Sequence, residues 1–328
     1  MILSVSRRTD IPAFYSEWFF NRIKEGVVLV RNPFNAKQIS RINLSPKVIY
    51  CIVFWTKNPK EMIKRLDEIK EYNYYFQFTL SSYDKNLEKN VHEKKYLINI
   101  FIELSQKIGK DKVIWRYDPI ILTDKFTKEY HYKWFDYLAK RLSPYTNKCV
   151  ISFLDLYKKT ERNLKKINIL PLNKDDMIDL ADKFSKIASK YNLIIETCSE
   201  EIELSKFNIN YGKCIDDKLI SHITGEKLSI DKDPNQRETC ACVKSIDIGA
   251  YNTCNHDCLY CYANFNREIV KKNMLKHNKK SLLLFGDLNG DEQIIDRKMK
   301  SYRVGQIFFI KNITFFYIIF KIILTSLE

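Results

Sequence analysis

Ser245-Ile-Asp-Ile-Gly-Ala-Tyr-Asn-Thr-Cys254-Asn-His-Asp-Cys258-Leu-Tyr-Cys261 is the stretch that decides how this chain is read. Residues 245–249 have the short apolar character of a strand. Three cysteines follow, spaced three and then two residues apart, and residues 262–276 continue as a basic helix with few breakers. Three thiolates on one short loop hold three irons of a cubane iron–sulfur cluster and leave the fourth iron open to a small molecule. Two other readings use the same residues. Cys254, His256, Cys258 and Cys261 offer four ligands for a structural zinc knuckle, or the three cysteines bind no metal at all.

Working outward, the same alternation recurs along the chain. Apolar runs stand at residues 2–6, 27–30, 48–55, 74–79, 113–116, 149–154, 193–197 and 245–249. Amphipathic stretches at 13–25, 59–72, 91–108, 127–142 and 174–190 lie between them. Strands alternating with helices predict an α/β fold with parallel strands and crossover helices. Eight such units predict a (β/α)8 barrel of the TIM type. No repeat and no Pro/Gly-rich linker divides the chain. One barrel domain is therefore expected over 1–306, with an irregular excursion at 199–239 and an apolar tail at 307–328.

Nearly every run ends in polar residues, and in such barrels the C-terminal strand ends carry the site. The first run ends in Ser6-Arg7-Arg8-Thr9-Asp10, the third in Trp55-Thr56-Lys57, and the fifth in Arg116-Tyr117-Asp118. Lys57, Arg116, Asp118, Arg7, Arg8 and Asp10 are thus candidate catalytic residues. Arginine suits a carboxylate or phosphate through its bidentate fork. Alternatively, Arg7 and Arg8 form salt bridges that close the strand ends, and Asp10 caps the helix that follows it.

The chain of 328 residues has nine cysteines, seven of them between Cys198 and Cys261. Cys198, Cys214, Cys240 and Cys242 form a second set. Cys240-Ala-Cys242 is too tight for a comfortable disulfide but suits two thiolates on one metal centre. The expectation is a second, fully ligated iron–sulfur cluster; zinc, or four unrelated thiols, are the alternatives. Cys51 and Cys149 fall inside apolar runs and read as buried small hydrophobes. The start, Met1-Ile-Leu-Ser-Val-Ser-Arg-Arg8, lacks signal-peptide character, and clustered reduced cysteines fit a cytoplasmic protein.

The formal charge is +15. Lysine is spread over nearly every helical segment, which suits a solvated surface as well as a polyanion-binding face. The apolar stretch over 306–327 is interrupted by Lys311, Asn312 and Lys321. It reads as a packed tail, and no stable membrane association is expected.

Longer motifs resemble a known family. Ser6-Arg-Arg-Thr-Asp-Ile-Pro-Ala-Phe-Tyr15, Phe54-Trp-Thr-Lys-Asn-Pro59, Trp115-Arg-Tyr-Asp-Pro119, Lys232-Asp-Pro-Asn-Gln-Arg237 and Cys240-Ala-Cys242 with residues 245–254 are similar to the family called domain of unknown function (DUF) 1848. The resemblance runs from Met1 to about Gln306. The cysteine spacing with Tyr260 also resembles the signature of radical S-adenosylmethionine (SAM) enzymes, and the Thr-Lys-Asn and Arg-x-Asp-Pro words resemble relatives of spore photoproduct lyase. In those enzymes the cysteine loop comes early; here it comes last, which implies a circularly permuted barrel. The resemblance implies a [4Fe–4S] cluster on Cys254, Cys258 and Cys261, and SAM on the open iron with Tyr260 near its adenine. Asp247 and Asn252 are further candidates for cofactor binding. Reductive cleavage of SAM then releases a 5′-deoxyadenosyl radical, which requires a reducing electron donor. No Gly-Gly-Glu-like word follows residues 2–6, where a permuted order would put it. The substrate, a small molecule or a nucleic acid, stays open. Two other classes remain: a metal-stabilised nucleic-acid-binding module, and an iron–sulfur electron carrier or sensor without SAM chemistry.

Overall fold

Thirteen strands appear in the computed structural model, which describes residues 1–155, 158–165, 167–298 and 302–303. They are β1 (Ile2–Val5), β2 (Val27–Arg31), β3 (Gln38–Asn43), β4 (Cys51–Thr56), β5 (Tyr74–Thr79), β6 (Val113–Ile120), β7 (Leu122–Thr123), β8 (Lys148–Phe153), β9 (Ile169–Leu170), β10 (Ile194–Thr197), β11 (Asn210–Tyr211), β12 (Ile246–Asp247) and β13 (Gln293–Asp296). Eight of them form one sheet in the order β11-β10-β8-β6-β5-β4-β1-β12, and every pairing in it is parallel. The architecture is α/β. Its central strands are buried almost throughout, as parallel strands covered on both faces must be. Cys51 and Cys149 are fully buried in β4 and β8, and burial pushes both thiols up. Among the described residues the edge strands β11 and β12 do not pair with each other. The segments beside them do touch: Val243 N donates to Ile215 O at 3.2 Å.

The run at 27–30 is not in this sheet. It forms β2, antiparallel to β3, in a three-stranded sheet with β13. Gly26, at φ 73°, reverses the chain after the helix Ser16–Glu25. The connection from Arg31 to Gln38 is then far too short for a crossover, so the two strands pair as antiparallel neighbours. The eighth place in the large sheet is taken by β11, inside the excursion expected to be irregular. That excursion also carries the helix Asp217–Thr224. The expected helices are present as Ile11–Phe14 with Ser16–Glu25, Lys60–Ile63, Lys94–Ile108, Lys128–Leu142, Lys174–Lys190 and Arg267–Leu275. The tail at 307–328 lies outside the described residues. Among the described residues no helix is long and apolar enough to cross a membrane.

One junction brings the two ends of the sheet sequence together. β1 lies between β4 and β12, with Leu3 opposite Ile246 and Ser4 opposite Asp247. The Asp247 carboxylate accepts from Ser4 Oγ (2.7 Å), Ser6 Oγ (2.6 Å), Arg7 N (2.8 Å) and Gly249 N (2.9 Å). Gly249 passes so close that a Cβ there would meet Ser6 Oγ at 2.0 Å. Gly249→Ala should therefore force β1 and β12 apart and cost roughly 1–3 kcal/mol, the usual range for overpacking. Urea unfolding followed by circular dichroism checks this; an unchanged midpoint would mean the junction is not tight.

Candidate functional site

The C-terminal ends of the parallel strands open on a cavity of about 470 Å3. Both cysteine sets line it: Cys254, Cys258 and Cys261 from the loop, and Cys198, Cys214, Cys240 and Cys242. So do Arg7, Arg8, Asp10, Lys57, Arg116, Asp118 and Tyr260. Asp247 and Asn252 do not. Asp247 is spent on the β1–β12 junction. Asn252, at φ 58°, accepts from Phe265 N at 2.6 Å and so fixes the exit of the cysteine loop.

The loop is held from several sides. Tyr15 Oη donates to Thr253 O (2.6 Å) and Asn264 Nδ2 to Cys254 O (2.7 Å). Residues 87–90 run alongside, with Leu259 N donating to Leu87 O (2.9 Å) and Asn90 N to His256 O (3.0 Å). That second contact puts Glu88 beside the site. Glu88 is buried and receives Lys57 Nζ at 2.8 Å, Ser81 Oγ at 2.8 Å, Lys94 Nζ and Tyr260 Oη. Lys57 Nζ also donates to Tyr260 Oη at 3.0 Å. Burial alone would raise the Glu88 carboxyl, but Lys57 and Lys94 outweigh it and hold the group well below the usual range. Burial likewise opposes the Lys57 ammonium, and Glu88 with Cys258 reverses that into a rise. For Lys94 burial wins and its ammonium is lowered.

Asp10 does what its alternative reading proposed, and more. Its Oδ1 accepts from Ala13 N (2.9 Å) as the cap of the helix Ile11–Phe14. Its Oδ2 accepts from Lys57 N and from His256 Nε2, both at 2.7 Å. It thereby ties three segments of the rim together. With Nε2 assigned as the donor, His256 Nδ1 faces inward as an acceptor.

Arg116 stands between the cysteines and the strand ends. Its Nη1 donates to Cys214 Sγ at 2.7 Å, Nη2 pairs with Asp118, and the guanidinium lies 5.2 Å from the Trp55 ring centre. Cys198 Sγ and Cys214 Sγ are 3.1 Å apart, and Ile215 N donates to Cys242 Sγ at 3.4 Å. The four thiols form a chain, because Cys242 hydrogen-bonds with both Cys214 and Cys240. The Cys242 hydrogen bond pulls Cys240 down to about 7.

Do these residues fit the implied metal? Among the described residues no three or more His, Cys, Asp or Glu are arranged to hold a single metal ion. A cubane cluster makes a different demand, since its ligating sulfurs sit on separate irons and need not converge on one point. The donor set suits it in two respects: the three thiols line one cavity, and none is engaged in a disulfide. Burial pushes all three thiols up, which opposes the thiolate form until a bound metal charge offsets it. The cavity also carries buried polar atoms with no partner among the described residues, namely Thr9 Oγ1, Trp55 Nε1 and His256 Nδ1. Such groups are normally satisfied, and a polar ligand in this cavity would supply their missing partners. A second cavity, of about 720 Å3, shares Cys254 and Cys258 with the first and is lined also by Lys89, Lys125 and Arg267.

The model of the family described as domain of unknown function (DUF1848) matches residues 2–263. The chain belongs to this family. The match ends two residues past Cys261, short of Gln306. No curated protein matches the chain. Among solved structures, a Bacteroides thetaiotaomicron protein described as a candidate alpha-L-fucosidase is similar at 11% identity, over 51% of this chain and 78% of that one, with a TM-score of 0.23. That likeness is too low to inform fold or activity.

Sequence reading missed Glu88, which sits in a lysine-rich loop without periodicity, and it used Thr9 and Trp55 only as parts of words. Replacing Glu88 by Gln leaves Lys57 and Lys94 buried without their counter-charge and should cost about 3–5 kcal/mol at neutral pH. Because the folded carboxyl is depressed, its stabilisation is complete above the ordinary Glu value of roughly 4.3 and is lost progressively as pH falls from there toward the depressed folded value. Denaturant titrations at several pH values should show a shallower acid limb for Glu88→Gln than for wild type. Parallel limbs would contradict the assignment.

Proposed function

We propose that this DUF1848 protein is an iron–sulfur enzyme of the radical SAM type, built on a circularly permuted (β/α)8 barrel. The observation that carries this reading is the convergence of both cysteine sets and the polar strand ends on one cavity wall. The barrel is supported by the all-parallel order of the large sheet, by β12 lying beside β1, and by the Val243–Ile215 contact between the two edges. A [4Fe–4S] cluster on Cys254, Cys258 and Cys261 would supply an open iron for SAM and the electron for its reductive cleavage.

The chain's own residues have definable tasks around it. Asp10 and the 87–90 segment hold the cysteine loop in register. The Tyr260 ring meets Tyr83 edge-to-face and lies 5.6 Å from Lys57 Nζ, next to the loop. Glu88 keeps Lys57 charged at the cavity wall, where the ammonium can balance negative charge on the thiolates. Buried Arg116 does the same for Cys214 and, through Asp118, is itself oriented. Cys198, Cys214, Cys240 and Cys242 would hold a second, closed cluster, with zinc as the alternative metal. The second cavity, which also reaches Cys254 and Cys258, is a route by which an electron donor could approach the loop. The substrate is a molecule able to enter the first cavity. Seven clustered reduced cysteines suit a cytoplasmic setting.

Anaerobic reconstitution with iron and sulfide, then reduction in the presence of SAM, tests the reading. Release of 5′-deoxyadenosine by wild type and none by Cys258→Ala is the expected result. A reconstituted cluster that never cleaves SAM would overturn it in favour of an electron carrier or sensor. Zinc in place of iron, with salt-sensitive binding to DNA or RNA, would favour the metal-stabilised binding module. Iron content in a variant lacking all three loop cysteines reports separately on the second set: iron should remain there, and its absence would leave those four thiols without a cluster.

A further inference from the structure

The charges on the cavity wall do not balance evenly. Lys57 has Glu88, Arg116 has Asp118, and Arg237 has Asp155. Arg7 and Arg8 are left more loosely engaged. The Arg7 guanidinium reaches Ser245 Oγ at 3.4 Å and Asp233 at 3.9 Å, at the limit of an ion pair. The Arg8 guanidinium reaches only the Gly249 carbonyl at 3.5 Å and lies 5.4 Å from the Tyr251 ring centre; it has no carboxylate partner among the described residues. Arg7 thus keeps one long ion pair, with Asp233, and Arg8 has none among the described residues.

Two residues near them in the cavity carry polar atoms without partners. Thr9 Oγ1, one residue on, and Trp55 Nε1 are buried without partners among the described residues. Indole N–H can only donate, and a threonine hydroxyl can donate. Two guanidiniums, an indole N–H and a hydroxyl thus line one cavity with a surplus of donors and of positive charge. A neutral ligand would leave most of that capacity unmet, and a cation would be repelled. An oxyanion meets both demands, and the guanidinium fork matches the two oxygens of a carboxylate or phosphate.

We propose that Arg7 and Arg8, with Thr9 and Trp55, form an anion-binding subsite of the cavity, and that the molecule bound there carries a phosphate or carboxylate group. The subsite lies in the cavity of the proposed radical chemistry but depends on no metal and no SAM cleavage. It narrows the substrate class to molecules that carry an anionic group.

Titration calorimetry of the full-length protein with inorganic phosphate and, separately, with succinate tests it. Binding of at least one is expected, weakened about tenfold or more by Arg8→Gln and by Arg7→Gln, since a charge-assisted hydrogen-bonded pair is lost. Arg8→Lys keeps the charge without the fork and should fall between; far-UV circular dichroism confirms that each variant is folded. Lys140→Gln, on the exposed side of the helix Lys128–Leu142, should bind as wild type does. Phosphate alone, succinate alone or both binding in this pattern all support the subsite and say which group it prefers. Binding by neither, or binding that Arg8→Gln and Lys140→Gln weaken equally, would overturn it. None of these outcomes depends on the SAM assay, so the two readings fail independently.

Discussion

The carboxylate of Asp247 is the point on which the architecture turns. It accepts four hydrogen bonds from Ser4, Ser6, Arg7 and Gly249, and so fastens a strand near residue 246 to a strand that begins at residue 2. Hydrogen bonds to a charged acceptor contribute more than neutral ones, on the order of 1.5–3 kcal/mol each when buried. Without this junction the edge strand β12 would have no partner, and the cysteine loop that follows it would not be held at the strand ends. With it, the loop stands over the ends of β1, β4 and β6, whose sequences supply Arg7, Lys57 and Arg116. The glycine at 249 is the steric counterpart of the same junction, because no side chain fits against Ser6.

A second constraint organises the wall. Several cations and seven thiols crowd one cavity, and carboxylates from separate segments make that tolerable. Glu88 serves Lys57 and Lys94, Asp118 serves Arg116, and Asp10 joins His256 to the backbone of Lys57. Each of these buried groups is stable only because its partner is present. The groups the wall leaves without partners among the described residues, Thr9 Oγ1, Trp55 Nε1 and His256 Nδ1, and the Arg8 guanidinium without a carboxylate, are informative about the ligand.

Much of this was legible in the sequence. Seven of the eight sheet strands announced themselves as apolar runs ending in polar words, because parallel strands buried on both faces need such runs and because the polar ends meet at one rim. The run at 27–30 misled for a physical reason: apolar character does not state which sheet a strand joins, and only the short connection to Gln38 excludes a crossover. β11 was invisible, since Asn210 and Tyr211 carry no pattern and become a strand only by pairing with Glu196 and Thr197. All seven non-strand cysteines reached the cavity as their clustering suggested. Glu88 could not be found, because its role comes from lying alongside residues 256–259, far away in sequence. Asp247 was singled out as a cofactor contact, and the structure gives it a structural task instead.

The central claim is that the loop thiols hold iron facing the cavity they share with the second cysteine set. Diffraction from anaerobically grown crystals at the iron absorption edge tests it most directly. The account predicts anomalous density bonded to Cys254, Cys258 and Cys261, with one iron free of protein ligands. Iron absent from those sulfurs after reconstitution, or a lone metal ion coordinated by His256 together with the three cysteines, would contradict it.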